Sequence, residues 1–256
     1  MSRPREPARA FHYGSWVLAV SVLVVMGSLG FARFGYTMIL PAMKEGLGLD
    51  NAQMGLLATG NFTGYLFFSL LGGLLAARHG PRLVITLSLG LVGLALGLTG
   101  AAAGLGFALA MRVLTGMGSG GSYVPVMALA STWFAPSRRG LATGVLVGGM
   151  GLGLAVTGTL VPALVGAYPQ GWRVSWWLLG AAVLAITVLA GAVLRNSPAE
   201  LGLAPIGGAP AGEPPAPPGH AGPPAQGVPT GGAVLAGGAV PPAPPPVAGA
   251  LQWGAV

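Results

Sequence analysis

Two arginines, Arg33 and Arg112, stand inside long runs of sequence that otherwise carry no charge. A guanidinium stays ionised at any physiological pH and presents a rigid fork of N–H donors that matches a carboxylate or a phosphate. At the centre of a bilayer it costs about 2.5–3.5 kcal/mol on insertion scales, so each of these groups needs a partner or water. The acids Glu6, Glu45, Asp50, Glu200 and Glu213 all fall outside the apolar runs, as do His12, His79 and His220. With no embedded carboxylate to neutralise them, the natural partner is an anionic ligand, and Arg33 and Arg112 are candidate substrate-binding residues.

Their surroundings extend the site. On a helix, Arg112, Thr115, Gly116, Ser119, Ser122 and Tyr123 recur at three- and four-residue intervals and form one small, polar stripe. Gly30, Arg33 and Thr37 follow the same spacing, with Tyr36 beside them and Asn61 in the next apolar run. Arg33, Arg112, Asn61, Tyr36, Thr115 and Ser119 are therefore the expected substrate contacts. Four of these have a simpler alternative. Arg33 can snorkel to the outer interface, and Arg112 can bond helix carbonyls. Asn61 can tie two helices together, and Tyr36 and Tyr65 can line an interface or a cavity wall.

Other chemistries lack their parts. An intramembrane hydrolase needs a buried nucleophile with a base or metal ligands, and the acids and histidines lie outside the runs. The sole lysine, Lys44, does not sit in a phosphate-binding loop pattern. Cysteine is absent, so no thiol chemistry is available. The expectation is a protein that is not an enzyme and uses no cofactor and no metal. A non-transporting six-helix scaffold or partner subunit remains the rival reading, since hydropathy alone does not separate it from a carrier.

The elements that must hold these residues follow from composition. Only 7% of the residues are charged, against roughly 25% in an ordinary soluble domain, while 53% are hydrophobic and 46 are glycine. A bilayer core about 30 Å thick needs about 20 mostly apolar residues per helix. The run 83–134 is too long for one crossing at ~1.5 Å per residue and must fold back near Ala101–Gly104. Six spans result, at 15–40, 52–77, 83–103, 105–132, 140–166 and 174–194. The fold class is an all-α membrane protein, a six-transmembrane-helix bundle over 15–195.

Charge orients the bundle. With a cytoplasmic start, Arg3, Arg5, Arg9, Arg78, Arg82, Arg138, Arg139 and Arg195 lie inside, and Lys44 and Arg173 outside. The net charge of +7 therefore reflects membrane topology, not nucleic-acid binding. Residues 1–14 form a basic cytoplasmic tail. Residues 196–249, rich in Pro and Gly, are expected to be a disordered cytoplasmic linker. Residues 250–256 read either as the opening of a truncated seventh helix or as the apolar C-terminus of a six-span protein.

Several segments carry a family resemblance. Gly73-Leu74-Leu75-Ala76-Ala77-Arg78-His79-Gly80-Pro81-Arg82 resembles the loop signature G-x-L-A-D-R-x-G-R-K of the major facilitator superfamily, with Ala77 at the acidic position. Arg112-Val113-Leu114-Thr115-Gly116-Met117-Gly118-Ser119-Gly120 resembles that family's R-x-x-x-G-x-G-x-G helix. Trp133 to Gly140, Gly171-Trp172-Arg173 and Ser197 to Leu203 are family-like as well, so the likeness covers residues 15–203. Gly30 to Tyr36 and Asn61 to Tyr65 resemble a bacterial branch of exporters and uptake carriers, with some likeness to monocarboxylate carriers. The antiporter signature of span five is half present, at Gly149 and Gly153.

The resemblance implies the N-terminal six-helix half of a twelve-helix secondary transporter with 3+3 inverted repeats. The short echo between Gly55–Gly60 and Gly140–Gly144 agrees with such a repeat. It also implies a gating loop at Gly73, Arg78, Gly80 and Arg82, without the acidic contact that Ala77 replaces. Spans one and four would face a central cavity holding an anionic substrate. The implied partners are the lipid bilayer, that substrate, and a C-terminal half or a second copy. The implied location is the bacterial inner membrane.

Overall fold

The computed structural model describes residues 12–208. The basic tail to residue 11, the linker from 209 to 249 and the segment 250–256 lie outside the described residues.

Six long helices make up the bundle: α1 (Tyr13–Leu47), α2 (Asn51–His79), α3 (Pro81–Gly100), α4 (Leu105–Trp133), α5 (Pro136–Ala167) and α6 (Gly171–Val193). Local chemistry sets the breaks. Gly48, at φ +63°, ends α1, and Asp50 opens α2 with a capping box in which its carboxylate accepts from Gln53 N at 2.8 Å. Gly80, at φ +86°, and Pro81 turn α2 into α3, and Pro136 opens α5. Hydropathy places the last of these starts at 140, but Arg138 and Arg139 sit exposed in a first turn that only the capping chemistry reveals. In the same way α1 continues past residue 40 through Pro41 to Leu47, carrying the exposed Glu45 beyond the apolar stretch.

Within α1, Met26–Phe34 is π-helical between two α-helical segments. The turns there are wider, a feature that often marks functional positions.

Five of the helices are long and apolar enough to cross a membrane. The exception is α4, expected as the fourth span. Arg112, Thr115, Ser119, Ser122 and a run of glycines dilute its hydropathy. The five consecutive residues Gly118 to Ser122 are all buried, so α4 is covered on every side where it is most polar.

Small residues bring the helices together, as expected where lipid offers no hydrophobic drive. A Cβ added at Gly30 of α1 would lie 2.7 Å from Gly153 Cα of α5. One added at Gly116 of α4 would collide with the Asn61 carbonyl oxygen of α2. Among the α5 glycines Gly144, Gly148, Gly149 and Gly153, the last two approach α1 closely, whereas a Cβ added at Gly144 or Gly148 would meet nothing within 4 Å. Exchanging the first three helices for the last three preserves the pattern, because α2 packs on α4 as α5 packs on α1, and α3 packs on α6.

The ends alternate. At one end Tyr13 donates to Val193 O (2.7 Å), Arg82 to Gly191 O and Trp133 Nε1 to Arg195 O (3.1 Å). At the other, Lys44 donates to Asn51 Oδ1 (2.8 Å) and Arg173 to Gly100 O (2.8 Å). Arg82 and Arg195 thus lie at one end of the bundle, and Lys44 and Arg173 at the other.

Order continues past the expected end of the bundle. Residues 196–208 do not begin a disordered linker: Pro198–Leu201 is a 3-10 turn. Ile206 exchanges hydrogen bonds with the α4–α5 junction, from its N to Trp133 O (2.9 Å) and from Ala135 N to its O (3.0 Å). The Pro and Gly that suggested a linker from 196 onward are concentrated beyond 209.

Candidate functional site

Arg112 is 1% exposed. Its Nη1 donates to the Ala32 carbonyl oxygen of the π-helical stretch at 3.0 Å. Its guanidinium carbon lies 4.3 Å from the Tyr36 ring centroid and 5.6 Å from that of Trp176, and these two rings stack at 6.4 Å. Helices α1, α4 and α6 thus meet around one cation held by a backbone dipole and two π faces.

Arg33 is half-buried and packs on α2. Its guanidinium carbon is 4.2 Å from the Phe62 centroid and 5.2 Å from that of Tyr65. Such contacts contribute about 0.5–2 kcal/mol, more as water is removed. The side chain is therefore seated on aromatic rings.

The two arginines occupy neighbouring positions. Ala32, which accepts from Arg112, precedes Arg33 in the chain. Asn61 Nδ2 donates to Arg112 O at 3.0 Å, while the adjacent Phe62 carries Arg33. A cavity of about 400 Å³ lies next to the Arg33 platform, lined by Ala58, Thr59, Phe62, Thr63 and Leu66.

The remaining expected contacts are largely committed to structure. Asn61, 5% exposed, spends its amide on the Arg112 carbonyl, the interhelical role. Tyr36 donates to Met54 O at 2.9 Å and clamps α1 to α2. Thr115 donates to Met111 O (2.7 Å) and Ser119 to Thr115 O (2.8 Å), within their own helix. Their hydroxyl oxygens keep only acceptor capacity, which suits a donor better than an anion.

The loop residues are built into the bundle. A Cβ at Gly80 would lie 2.8 Å from Asn196 Oδ1. The same oxygen accepts from Arg82 N at 2.9 Å, and Arg82 Nε and Nη2 reach Gly191 O at 3.1 and 2.6 Å. Asn196 Nδ2 in turn donates to Glu200 Oε1 at 2.9 Å. Arg78 is exposed. A Cβ added at Gly73 would meet only a Val124 methyl at 3.8 Å, while one at its neighbour Gly72 would lie 2.8 Å from Gly121 Cα.

Sequence reasoning missed Phe62, Tyr65 and Trp176 as platforms, and the Ala32 carbonyl. Phe62 and Tyr65 stand one helical turn apart beside Asn61, which was a usable signal. Trp176 reads in sequence as one more aromatic in an apolar run.

Comparisons with known proteins agree with this architecture. The family model described as Major Facilitator Superfamily matches residues 22–248. A hexuronate transporter of Bacillus subtilis (strain 168) is 30% identical over 147 residues, covering 57% of this chain and 34% of that protein. The 4-hydroxybenzoate transporter PcaK of Pseudomonas aeruginosa is 30% identical over 157 residues, covering 61% of this chain and 34% of that protein. The matched region thus spans about a third of these curated relatives. The crystal structure of a bacterial homolog of the human lysosomal transporter Spinster, inward-facing and occupied, matches with a TM-score of 0.67 at 20% identity. That match covers 74% of this chain and 46% of the other, and it shows the shared fold.

Proposed function

Because this chain belongs to the Major Facilitator Superfamily and is an integral membrane protein, we propose that it is one half of a secondary transporter carrying a small organic anion by alternating access. The observation that carries the reading is Arg112, a guanidinium 1% exposed within the bundle while every acid of the chain lies outside the apolar runs. Arg33 supplies a second cation one residue from the Ala32 carbonyl that Arg112 engages. Hexuronate and 4-hydroxybenzoate, the cargoes named for the two relatives, are both carboxylates. Protonation in this half cannot use an embedded acid, so either the partner half supplies the coupling group, or the substrate carries the proton, or transport is uncoupled.

A second six-helix half, or a second copy of this chain, completes the carrier, and the location is a bacterial inner membrane with the N-terminus in the cytoplasm. Gly73, Arg78, Gly80 and Arg82 form the cytoplasmic gating loop, anchored through Asn196.

Uptake of radiolabelled carboxylates into proteoliposomes tests this. Arg33→Ala and Arg112→Ala should each lower uptake at least about tenfold, the loss of one charge-assisted hydrogen bond. Unchanged uptake in both variants refutes the anion site.

A further inference from the structure

Among the described residues, three buried side-chain nitrogen or oxygen atoms find no hydrogen-bond partner within the protein: Arg33 Nη2, Arg112 Nε and Trp176 Nε1. All three are donors, and no buried oxygen shares their condition. The first two belong to the anion site already described. The third does not: Trp176 comes from α6, is 0% exposed, and stacks on the same Tyr36 ring that carries the Arg112 guanidinium.

An indole N–H can only donate. A donor buried without an acceptor is unfavourable, and a phenylalanine would stack on Tyr36 without incurring that cost. Arg112 Nε and Trp176 Nε1, whose side chains meet at the same Tyr36 ring, are therefore two neighbouring donors without an acceptor oxygen. We propose that Trp176 is a substrate-recognising residue, whose indole N–H donates to an oxygen of the bound anion alongside Arg112 Nε. This rests on the anion reading and deepens it. The shared chemistry is an acceptor oxygen, and an ordered water is its other source. Trp176 then sets specificity: a substrate bearing oxygen at that position satisfies the indole, and an analogue with a methyl group there leaves a buried donor unpaired.

The test uses the reconstituted carrier with 15N-labelled tryptophan in lipid nanodiscs, the Trp176 indole resonance being identified by its loss in Trp176→Phe. The probes are D-glucuronate and 4-hydroxybenzoate, whichever shows Arg112-dependent uptake. The expected result is a downfield move of that resonance on saturation with the probe, absent in Arg112→Lys. Trp176→Phe should raise KM about tenfold with kcat within about twofold, the signature of a lost hydrogen bond to a charged group. A resonance unmoved by a probe whose uptake depends on Arg112 overturns the proposal and leaves the anion reading standing. A resonance already hydrogen-bonded without probe and indifferent to it identifies ordered water, which also overturns it. If uptake is unchanged in both Arg33→Ala and Arg112→Ala, the anion reading fails and this inference fails with it. If Trp176→Phe folds poorly, the wild-type resonance is assigned by elimination from single Phe variants at the other tryptophans, and the decision stands.

Discussion

Arg112 holds three kinds of contact at once: a backbone carbonyl from α1, two aromatic faces from α1 and α6, and, through its own carbonyl, the amide of Asn61 from α2. Truncating Asn61 removes only the last of these. Asn61→Ala is expected to destabilise the bundle by about 0.6–1.7 kcal/mol, the range found for interhelical hydrogen bonds in membranes. It should leave KM for a transported carboxylate nearly unchanged. Thermal unfolding in detergent beside uptake kinetics checks both, and a large rise in KM with an unaltered melting temperature makes Asn61 a ligand contact instead. At this scale the sequence was legible wherever hydrocarbon makes a residue type costly. Arg33 and Arg112 stood out because a charge in an apolar run demands an explanation. The rings that hold them did not, because Phe62, Tyr65 and Trp176 are ordinary members of such runs until tertiary packing places a cation on them.

At the scale of elements, close backbone approach orders the bundle. Gly116→Val should drive a side chain into the Asn61 carbonyl at the α2–α4 contact and cost about 1–3 kcal/mol, with lower thermal stability or loss of the folded protein. Gly148→Ala is the matched control, because nothing lies within 4 Å of the added carbon. It should leave the melting temperature of the isolated chain unchanged or slightly higher, alanine being the better helix former. The elements themselves were readable from hydropathy, since each crossing needs its own apolar run. Their termini were not, because Gly48, the Asp50–Gln53 box and Pro136 stop and start helices in water, beyond the reach of an apolar window. The order of residues 196–208 depends on Ile206 pairing with the distant α4–α5 junction, a contact that no local composition encodes.

For the whole molecule, topology makes a sharp statement about sidedness. Ser137 and Glu45 are exposed at opposite ends of the bundle, and the chain has no cysteine. Ser137→Cys should therefore label with an impermeant maleimide only after the cytoplasmic face is opened, and Glu45→Cys in intact cells. The reverse pattern inverts the orientation proposed above. The same view shows how unevenly the helices are satisfied. On α2 the buried residues Leu57, Asn61, Gly64 and Gly72 form one narrow stripe, and on α5 Ala142, Leu146, Gly149, Gly153, Thr157 and Val161 form another. On the same helices Phe62, Leu66, Leu70, Leu141 and Leu152 face outward. That is the disposition expected of surfaces meeting lipid or a second half.

The π-helical stretch Met26–Phe34 gives α1 two phases instead of one. A helical wheel drawn at constant pitch puts Gly30, Arg33 and Thr37 on one side. Instead, Gly30 abuts Gly153 of α5, Arg33 rests on α2, and Thr37 is exposed and bonds back to Phe34 O. Angular bookkeeping carried from Tyr13 across this stretch arrives out of step at Gly35, so the last third of α1 must be indexed from its own contacts.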